Sequence, residues 1–279
     1  MDKEKIHILN GATLYSYIIK PSYQLKRNTD KWNNDLNPAV LILPGGGYKR
    51  IEDCENSPVV FSFLNAGYSC FVLEYSCNED SKYPNPILEG FESLKYIRKN
   101  ANNFKIDSNK IICCGFSAGG HLASLLGCKN IAECLGYNYE SVKLNATILG
   151  YPLIDMKTYY ENHPNKFGKF GLMVSDMDII DCINPTLYVD GNYPPVFIWN
   201  TQEDDLVDCE QSIEFVKKIV EVKGIVEYHM FTYGVHGLSL NNILTNKGNI
   251  LNNHMKSPNV SKRSEERRVG KECRSRWWP

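Results

Sequence analysis

Gly115-Phe116-Ser117-Ala118-Gly119 follows the pattern G-x-S-x-G, in which a serine occupies a sharp turn between a strand and a helix. The residues before it form a short apolar run typical of a buried strand, and the residues after it have the composition of a helix. The turn strains the serine backbone, so the positions two before and two after it need very small side chains, which Gly115 and Gly119 provide. The pattern therefore predicts a nucleophile at Ser117, with the N–H of Ala118 directed at a developing oxyanion.

Two later segments carry the partners that a serine nucleophile needs, in the order Ser, Asp, His. The first is an apolar run over 195–199 that continues into the acidic loop 203–205. The second is a strand-like run over 226–231, followed by a loop that holds His236 between glycines. A serine hydroxyl is a weak nucleophile without a base, so His236 is the predicted general base, and an aspartate of the acidic loop would fix its tautomer.

A glycine run upstream is the fourth signal. The apolar strand predicted over 40–43 ends in Pro44-Gly45-Gly46-Gly47, where missing side chains let backbone N–H groups approach a substrate oxygen. Gly46 and Gly47 would then join Ala118 as oxyanion donors. The alternative is a plain tight turn.

These motifs together resemble the α/β-hydrolase fold and, within it, the acetyl-esterase and carbohydrate-esterase-like group related to hormone-sensitive lipases. The resemblance extends to about Ser261 and is carried by 44–48, 115–121, 194–199 and 236–238. It implies a cofactor-free serine esterase acting on a small-molecule ester, with acetyl groups on sugars or xylo-oligosaccharides as the substrate class. The resemblance also assigns the role of orienting His236 to Asp204, which matches the family's acidic loop when positions are counted back from the Leu-Val pair at 206–207. Asp205 is the alternative.

The order of elements predicts an α/β fold with a doubly wound, mostly parallel sheet and helices on both faces. A weakly periodic insertion over 155–191 is expected to form a small cap over the site. The face of the helix predicted over 209–223 is assigned to Ile213, Val216, Ile219 and Val220. Strands are predicted over 12–19, 40–43, 69–75, 110–114, 146–149, 195–199 and 226–231, and further helices over 57–66, 87–99 and 120–126.

Composition limits the remaining functions. The chain has 279 residues, 43% of them hydrophobic, and a formal net charge of −1, which gives no reason to expect nucleic acid or an anionic membrane as a partner. The charged start and the lack of a long apolar run predict a cytoplasmic protein without a membrane span.

The ten cysteines are interpreted as reduced core residues. No histidine pair has metal-ligand spacing, so no metal is expected, and His121 is interpreted as a packing or hydrogen-bonding residue. The oligomeric state stays open.

The end of the chain differs in character from the rest. Residues 263–279 resemble a translated sequencing adapter and are excluded from the predicted hydrolase domain, which covers 1–262. Residues 238–251 offer only a short Asn-rich segment where this fold usually has a helix, so a truncated native chain is expected.

Two alternatives to an esterase stay open. One is a serine peptidase of the prolyl-oligopeptidase kind, whose catalytic domain shares the Ser, Asp, His order, although no large additional domain is visible here. The other is a catalytically inactive hydrolase-fold binding protein.

Overall fold

The computed structural model describes residues 2–19, 36–162 and 177–245. Within these ranges the chain forms one eight-stranded sheet in the order β1-β2-β4-β3-β5-β6-β7-β8. Strands β1 and β2 are antiparallel to their neighbours, and β3 to β8 run parallel to one another. The strands are β1 (Asp2–His7), β2 (Thr13–Ile18), β3 (Asn37–Leu43), β4 (Ser69–Glu74), β5 (Ile106–Phe116), β6 (Ala146–Gly150), β7 (Val196–Thr201) and β8 (Val226–Phe231).

In the central strands β3 and β5, residues 39–43 and 111–114 are continuously apolar because both faces of the sheet are covered. In β3, Leu41 and Leu43 face one hydrophobic cluster, while Val40 and Ile42 face the other. In β5, Cys113 likewise faces the first cluster, while its neighbours Ile112 and Cys114 face the second. The sheet therefore separates two buried layers, as a doubly wound fold requires.

Helices lie on both faces. Apolar residues of α2, α4 and α8 belong to the first cluster, and those of α1 belong to the second. The helices are α1 (Ser57–Asn65), α2 (Asn85–Lys99), α3 (Ala101–Phe104), α4 (Ala118–Leu126), α5 (Lys129–Cys134), α6 (Tyr139–Val142), α7 (Met156–Asn162) and α8 (Glu210–Glu221). The predicted fold class is confirmed.

Every strand and helix expected from the sequence is present, with shifts of a few residues at the ends. One expectation about packing is wrong: Val220 of α8 is 59% exposed, whereas Phe215 and Ile219 are fully buried. The buried face of α8 is rotated because Phe215 contributes the large apolar side chain, and Gln211 and Ser212 are buried beside it at helical spacing.

The predicted insertion is described only in part. Its α7 and the 3-10 segment Met177–Ile183 contribute Tyr159, Tyr160 and Ile183 to the first hydrophobic cluster, so these parts pack with the main core. Residues 163–176, which the cap prediction also needs, lie outside the described residues. So do 246–279, with the adapter-like segment and the last part of the Asn-rich segment, 246–251.

The cysteines of the described ranges form no disulfide. Four are buried as expected: Cys70, Cys113, Cys114 and Cys128. For the rest the expectation of core residues is wrong, because Cys134 is exposed and the others are only half-buried. In the same ranges, none of the helices is both long and apolar enough to cross a bilayer.

Candidate active site

The turn between β5 and α4 has the geometry of a nucleophile elbow. Ser117 has φ 51° and ψ −118°, outside the conformations that L-residues readily adopt. A Cβ on Gly115 would lie 2.2 Å from the carbonyl oxygen of Gly119, and one on Gly119 would lie 2.0 Å from the carbonyl oxygen of Leu43. Both glycines are therefore required, as predicted. Ser117 is only 7% exposed, so its hydroxyl lies in a largely covered site.

The structure brings Ser117, His236 and Asp204 into one hydrogen-bonded row. Ser117 Oγ is 2.7 Å from His236 Nε2, and His236 Nδ1 is 2.7 Å from Asp204 Oδ2. An ionised Asp204 can only accept, so Nδ1 carries the proton and Nε2 is left to accept from the serine hydroxyl. His236 is thus in the tautomer that a general base needs.

The acidic loop distinguishes its two aspartates. Asp204 is 8% exposed, and its Oδ1 accepts hydrogen bonds from the N–H groups of Leu206 and Val207, both at 2.9 Å. Asp205 is exposed to solvent. Glu203 is exposed, and its Oε2 accepts from the N–H of Gly234 at 3.1 Å, which connects the histidine loop to the acidic loop.

Two of the predicted oxyanion donors, Gly46 and Gly47, belong to the glycine loop, and the third is Ala118, the residue after the nucleophile. The glycine loop packs against the elbow, because a Cβ on Gly45 would lie 2.9 Å from Ser117 Cβ. Gly46 and Gly47 have φ 119° and 65°, which glycine adopts without strain. In the described part of the chain, the N–H groups of Gly46, Gly47 and Ala118 donate to no protein acceptor. These donors are therefore free to bind a substrate oxygen.

Sequence reasoning missed Glu55, a buried carboxylate directly behind this loop. Its Oε2 accepts from the N–H of Gly45 at 2.6 Å, and its Oε1 accepts from the Tyr151 hydroxyl at 2.6 Å. Burial raises the pKa of Glu55, and these two hydrogen bonds and the nearby His236 oppose that shift. Glu55 follows Glu52 and Asp53, and such an acidic turn is usually solvated, so the sequence held no signal for it.

His121 supports the glycine loop from the other side. Its Nε2–H donates to the carbonyl of Ile183 at 2.6 Å, so its Nδ1 accepts from the Tyr48 hydroxyl at 2.8 Å. Burial lowers the pKa of His121 to about 4, which keeps the ring neutral. The interpretation of His121 as a packing and hydrogen-bonding residue is confirmed.

No group of three metal-ligating side chains occurs among the residues that the structure describes.

Comparison with known proteins agrees with this geometry. A model of the BD-FAE family matches residues 28–219. The chain is 31% identical over 219 residues to endo-1,4-beta-xylanase B of Butyrivibrio fibrisolvens, a match that covers 75% of this chain and 34% of that protein. The chain spans about a third to a half of the length of the first curated relatives it matches.

Solved structures give the same result. One is MGS-M1, an α/β-hydrolase enzyme from a Medee basin deep-sea metagenome library, with 34% identity, a TM-score of 0.70 and coverage of 89% of this chain and 88% of that one. Another is the acetyl ester-xyloside bifunctional hydrolase of Caldicellulosiruptor lactoaceticus, with 26% identity, a TM-score of 0.73 and coverage of 94% and 87%. The matched family model spans well over half of the sequence, and the chain belongs to the BD-FAE family as an esterase-like α/β-hydrolase.

Proposed function

We propose that this chain is a serine esterase that hydrolyses short acyl esters through an acyl-enzyme, with acetylated sugars or xylo-oligosaccharides as its substrates. The observation that carries the proposal is the row of bonds from Ser117 through His236 to Asp204. A nucleophile, a base in the correct tautomer and a buried carboxylate are together what acyl transfer requires.

The first half of the reaction forms the acyl-enzyme. His236 Nε2 takes the hydroxyl proton of Ser117 while Ser117 Oγ bonds to the ester carbonyl carbon. The carbonyl oxygen then becomes an oxyanion. The N–H groups of Gly46, Gly47 and Ala118 stabilise that oxyanion, and Asp204 stabilises the imidazolium. The tetrahedral intermediate then breaks its bond to the alcohol oxygen, which receives the proton from His236.

The second half releases the acid. Water gives a proton to His236 and attacks the acyl carbon, and the proton returns to Ser117 Oγ as the acyl–serine bond breaks. The acyl group leaves as a carboxylic acid, and the resting hydroxyl is restored. No step uses a metal or an organic cofactor.

The substrate class is supported by the relatives. The structural neighbour from Caldicellulosiruptor lactoaceticus is described as an acetyl ester-xyloside hydrolase, and the relative from Butyrivibrio fibrisolvens is described as a xylanase. Both descriptions concern xylose-based sugars, and that of the structural neighbour also names an acetyl ester.

A substrate panel tests the proposal. Initial rates should be measured on p-nitrophenyl esters from acetate to octanoate, on acetylated xylo-oligosaccharides and on a proline-containing peptide amide, with Ser117→Ala as the blank. We expect the highest kcat/KM on acetyl esters, acetate release from the oligosaccharides and no peptide cleavage. Failure of a fluorophosphonate probe to label Ser117 would instead indicate an inactive binding protein.

A further inference from the structure

Glu55 is buried at the end of the 3-10 turn Asp53–Glu55, directly after the glycine loop, and is 2% exposed. No lysine or arginine of the described residues forms an ion pair with it; its partners are the N–H of Gly45 and the hydroxyl of Tyr151. A buried carboxylate without a cationic partner is costly, and it persists only where its hydrogen bonds are well formed. Both carboxylate oxygens of Glu55 meet that condition, so its position is tightly defined.

The hydrogen bonds continue from Glu55 to the histidine loop. The hydroxyl of Tyr151 donates to Glu55 and accepts from the N–H of Ser239 at 2.8 Å. Ser239 Oγ in turn donates to the carbonyl of Cys54 at 2.8 Å, next to Glu55 in the chain. The Tyr151 ring also packs edge-on against His236, with ring centroids 5.0 Å apart.

One carboxylate therefore connects two loops that must hold their places. One of its oxygens restrains the backbone of Gly45, immediately before the proposed oxyanion donors. The other restrains Tyr151, which touches the imidazole of His236 and holds the backbone three residues beyond it. A shift of either loop would separate the donors from the reacting carbonyl or the base from Ser117.

A second effect of Glu55 on His236 is electrostatic. Glu55 and His236 attract each other electrostatically when both are charged. In the proposed mechanism, the imidazole becomes positively charged when it takes the proton of Ser117 or of the attacking water, as each tetrahedral intermediate forms. When Glu55 is ionised, its negative charge therefore favours those species over the resting state.

We infer that Glu55 is a positioning residue for the hydrolysis proposed above. Through Gly45 and Tyr151 it aligns the oxyanion donors with His236, and its carboxylate stabilises the positive charge that His236 acquires. The inference rests on the proposed function, because it assigns Glu55 to the same site. Glu55 itself touches no reacting atom.

The test compares two buried carboxylates. Glu55→Gln keeps the size of the side chain but places an amide N–H against the N–H of Gly45 or the hydroxyl of Tyr151. The matched control is Glu89→Gln, because Glu89 in α2 is also fully buried and accepts from the N–H and the hydroxyl of Ser76. Tyr151→Phe removes only the linking hydroxyl, and it serves as the second variant if Glu55→Gln does not fold.

The readout is kcat and KM on p-nitrophenyl acetate, normalised to the fraction of Ser117 that a fluorophosphonate probe labels at completion. We expect Glu55→Gln to lower kcat at least about tenfold while KM changes by less than about threefold, because misalignment affects the transition state. Glu89→Gln should keep the wild-type kcat per labelled site. Tyr151→Phe should lower kcat as well, and the double variant should lose less than the product of the two single losses, because both act through one network.

Three results would overturn the inference: a kcat for Glu55→Gln within about twofold of wild type, an equal loss in Glu89→Gln, or independent effects of Glu55 and Tyr151. If Glu55→Gln does not fold, an unchanged kcat in Tyr151→Phe would overturn it. The wild-type protein is assayed before the variants. If it neither binds the probe nor hydrolyses esters, the proposed function is refuted instead.

Discussion

His236 Nδ1 lies 2.7 Å from Asp204 Oδ2, while the next residue along the chain, Asp205, is exposed to solvent. The Asp204 side chain is 1% exposed and that of His236 is 12% exposed, so their hydrogen bond is shielded from water. The second oxygen of Asp204 is held by two backbone N–H groups, which fixes the carboxylate before the imidazole binds to it. Two adjacent aspartates in one loop therefore have different roles available to them.

We predict that Asp204→Asn lowers kcat by about 10³- to 10⁴-fold, because an amide can neither fix the tautomer of His236 nor stabilise its positive charge. Asp205→Asn makes the same chemical change one residue away and should stay within about twofold of wild type. Steady-state rates on p-nitrophenyl acetate measure both. The opposite ranking would move the orienting role to Asp205.

Replacing Ser117 with alanine should abolish hydrolysis and leave the fold intact. Alanine and serine tolerate the positive φ of the elbow about equally, and the hydroxyl makes its hydrogen bond only to His236 in the described structure. We expect a loss of at least about 10³-fold in kcat and a melting temperature close to that of wild type. Circular dichroism melts and rate assays on the same preparation check this. A folded Ser117→Ala protein that turns over at a near-normal rate would refute the mechanism.

The parts of the molecule that the sequence predicted share one property: a strong local pattern. Residues 39–43 of β3 and 111–114 of β5 are continuous apolar runs because parallel strands are buried on both faces, and the elbow between β5 and α4 needs glycine at fixed positions. The order Ser, Asp, His then limited the partners of Ser117 to a few residues. Periodicity, glycine placement and order along the chain all survive in a single sequence.

The missed parts depend on contacts that no local pattern encodes. β1 is a charged edge strand whose Lys3, Glu4 and Lys5 are exposed, and it is a strand because its backbone pairs with β2. Glu55 lies in an acidic turn, and its burial follows from Gly45 and Tyr151, which reach it from β3 and β6. Such residues become visible only once the sheet has assembled.

Gly119→Ala should damage both stability and activity. Its Cβ would lie 2.0 Å from the carbonyl oxygen of Leu43 and 2.5 Å from that of Pro44, so backbone must move. We expect a loss of roughly 1–3 kcal/mol in the free energy of unfolding, the usual range for overpacking. The surviving folded protein should also turn over more slowly, because the displaced backbone leads into the oxyanion loop beside Ser117.

The control for that variant is Gly191→Ala. The nearest atom to a Cβ at Gly191 is a backbone oxygen 4.0 Å away, so the substitution should change the free energy of unfolding by less than about 1 kcal/mol. Urea unfolding of both variants, with kcat measured per probe-labelled site, separates the two effects. Equal stability for Gly119→Ala and wild type would show that the close packing of elbow and glycine loop is not required.

The stability of the folded chain should decrease in mild acid because of His121. Both ring nitrogens are occupied, Nδ1 by the Tyr48 hydroxyl and Nε2–H by the carbonyl of Ile183. Burial lowers the pKa of His121 to about 4 in the folded state, against about 6.5 for an unperturbed histidine in the unfolded chain. Between these values the unfolded chain holds a proton that the folded protein does not. The contribution of His121 is therefore complete above about pH 6.5 and is lost as the pH falls towards 4, for a total of roughly 3 kcal/mol.

Urea unfolding at half-unit pH steps from pH 7.5 to 4 measures how the free energy of unfolding depends on pH. The proteins compared are wild type, His121→Gln and the exposed-residue control His7→Gln. We expect His121→Gln to be less stable at pH 7.5 but to decline less steeply below pH 6.5, with His7→Gln parallel to wild type. If wild type and His121→Gln decline in parallel, His121 is protonated equally in both states, and the acid sensitivity of the fold has another source.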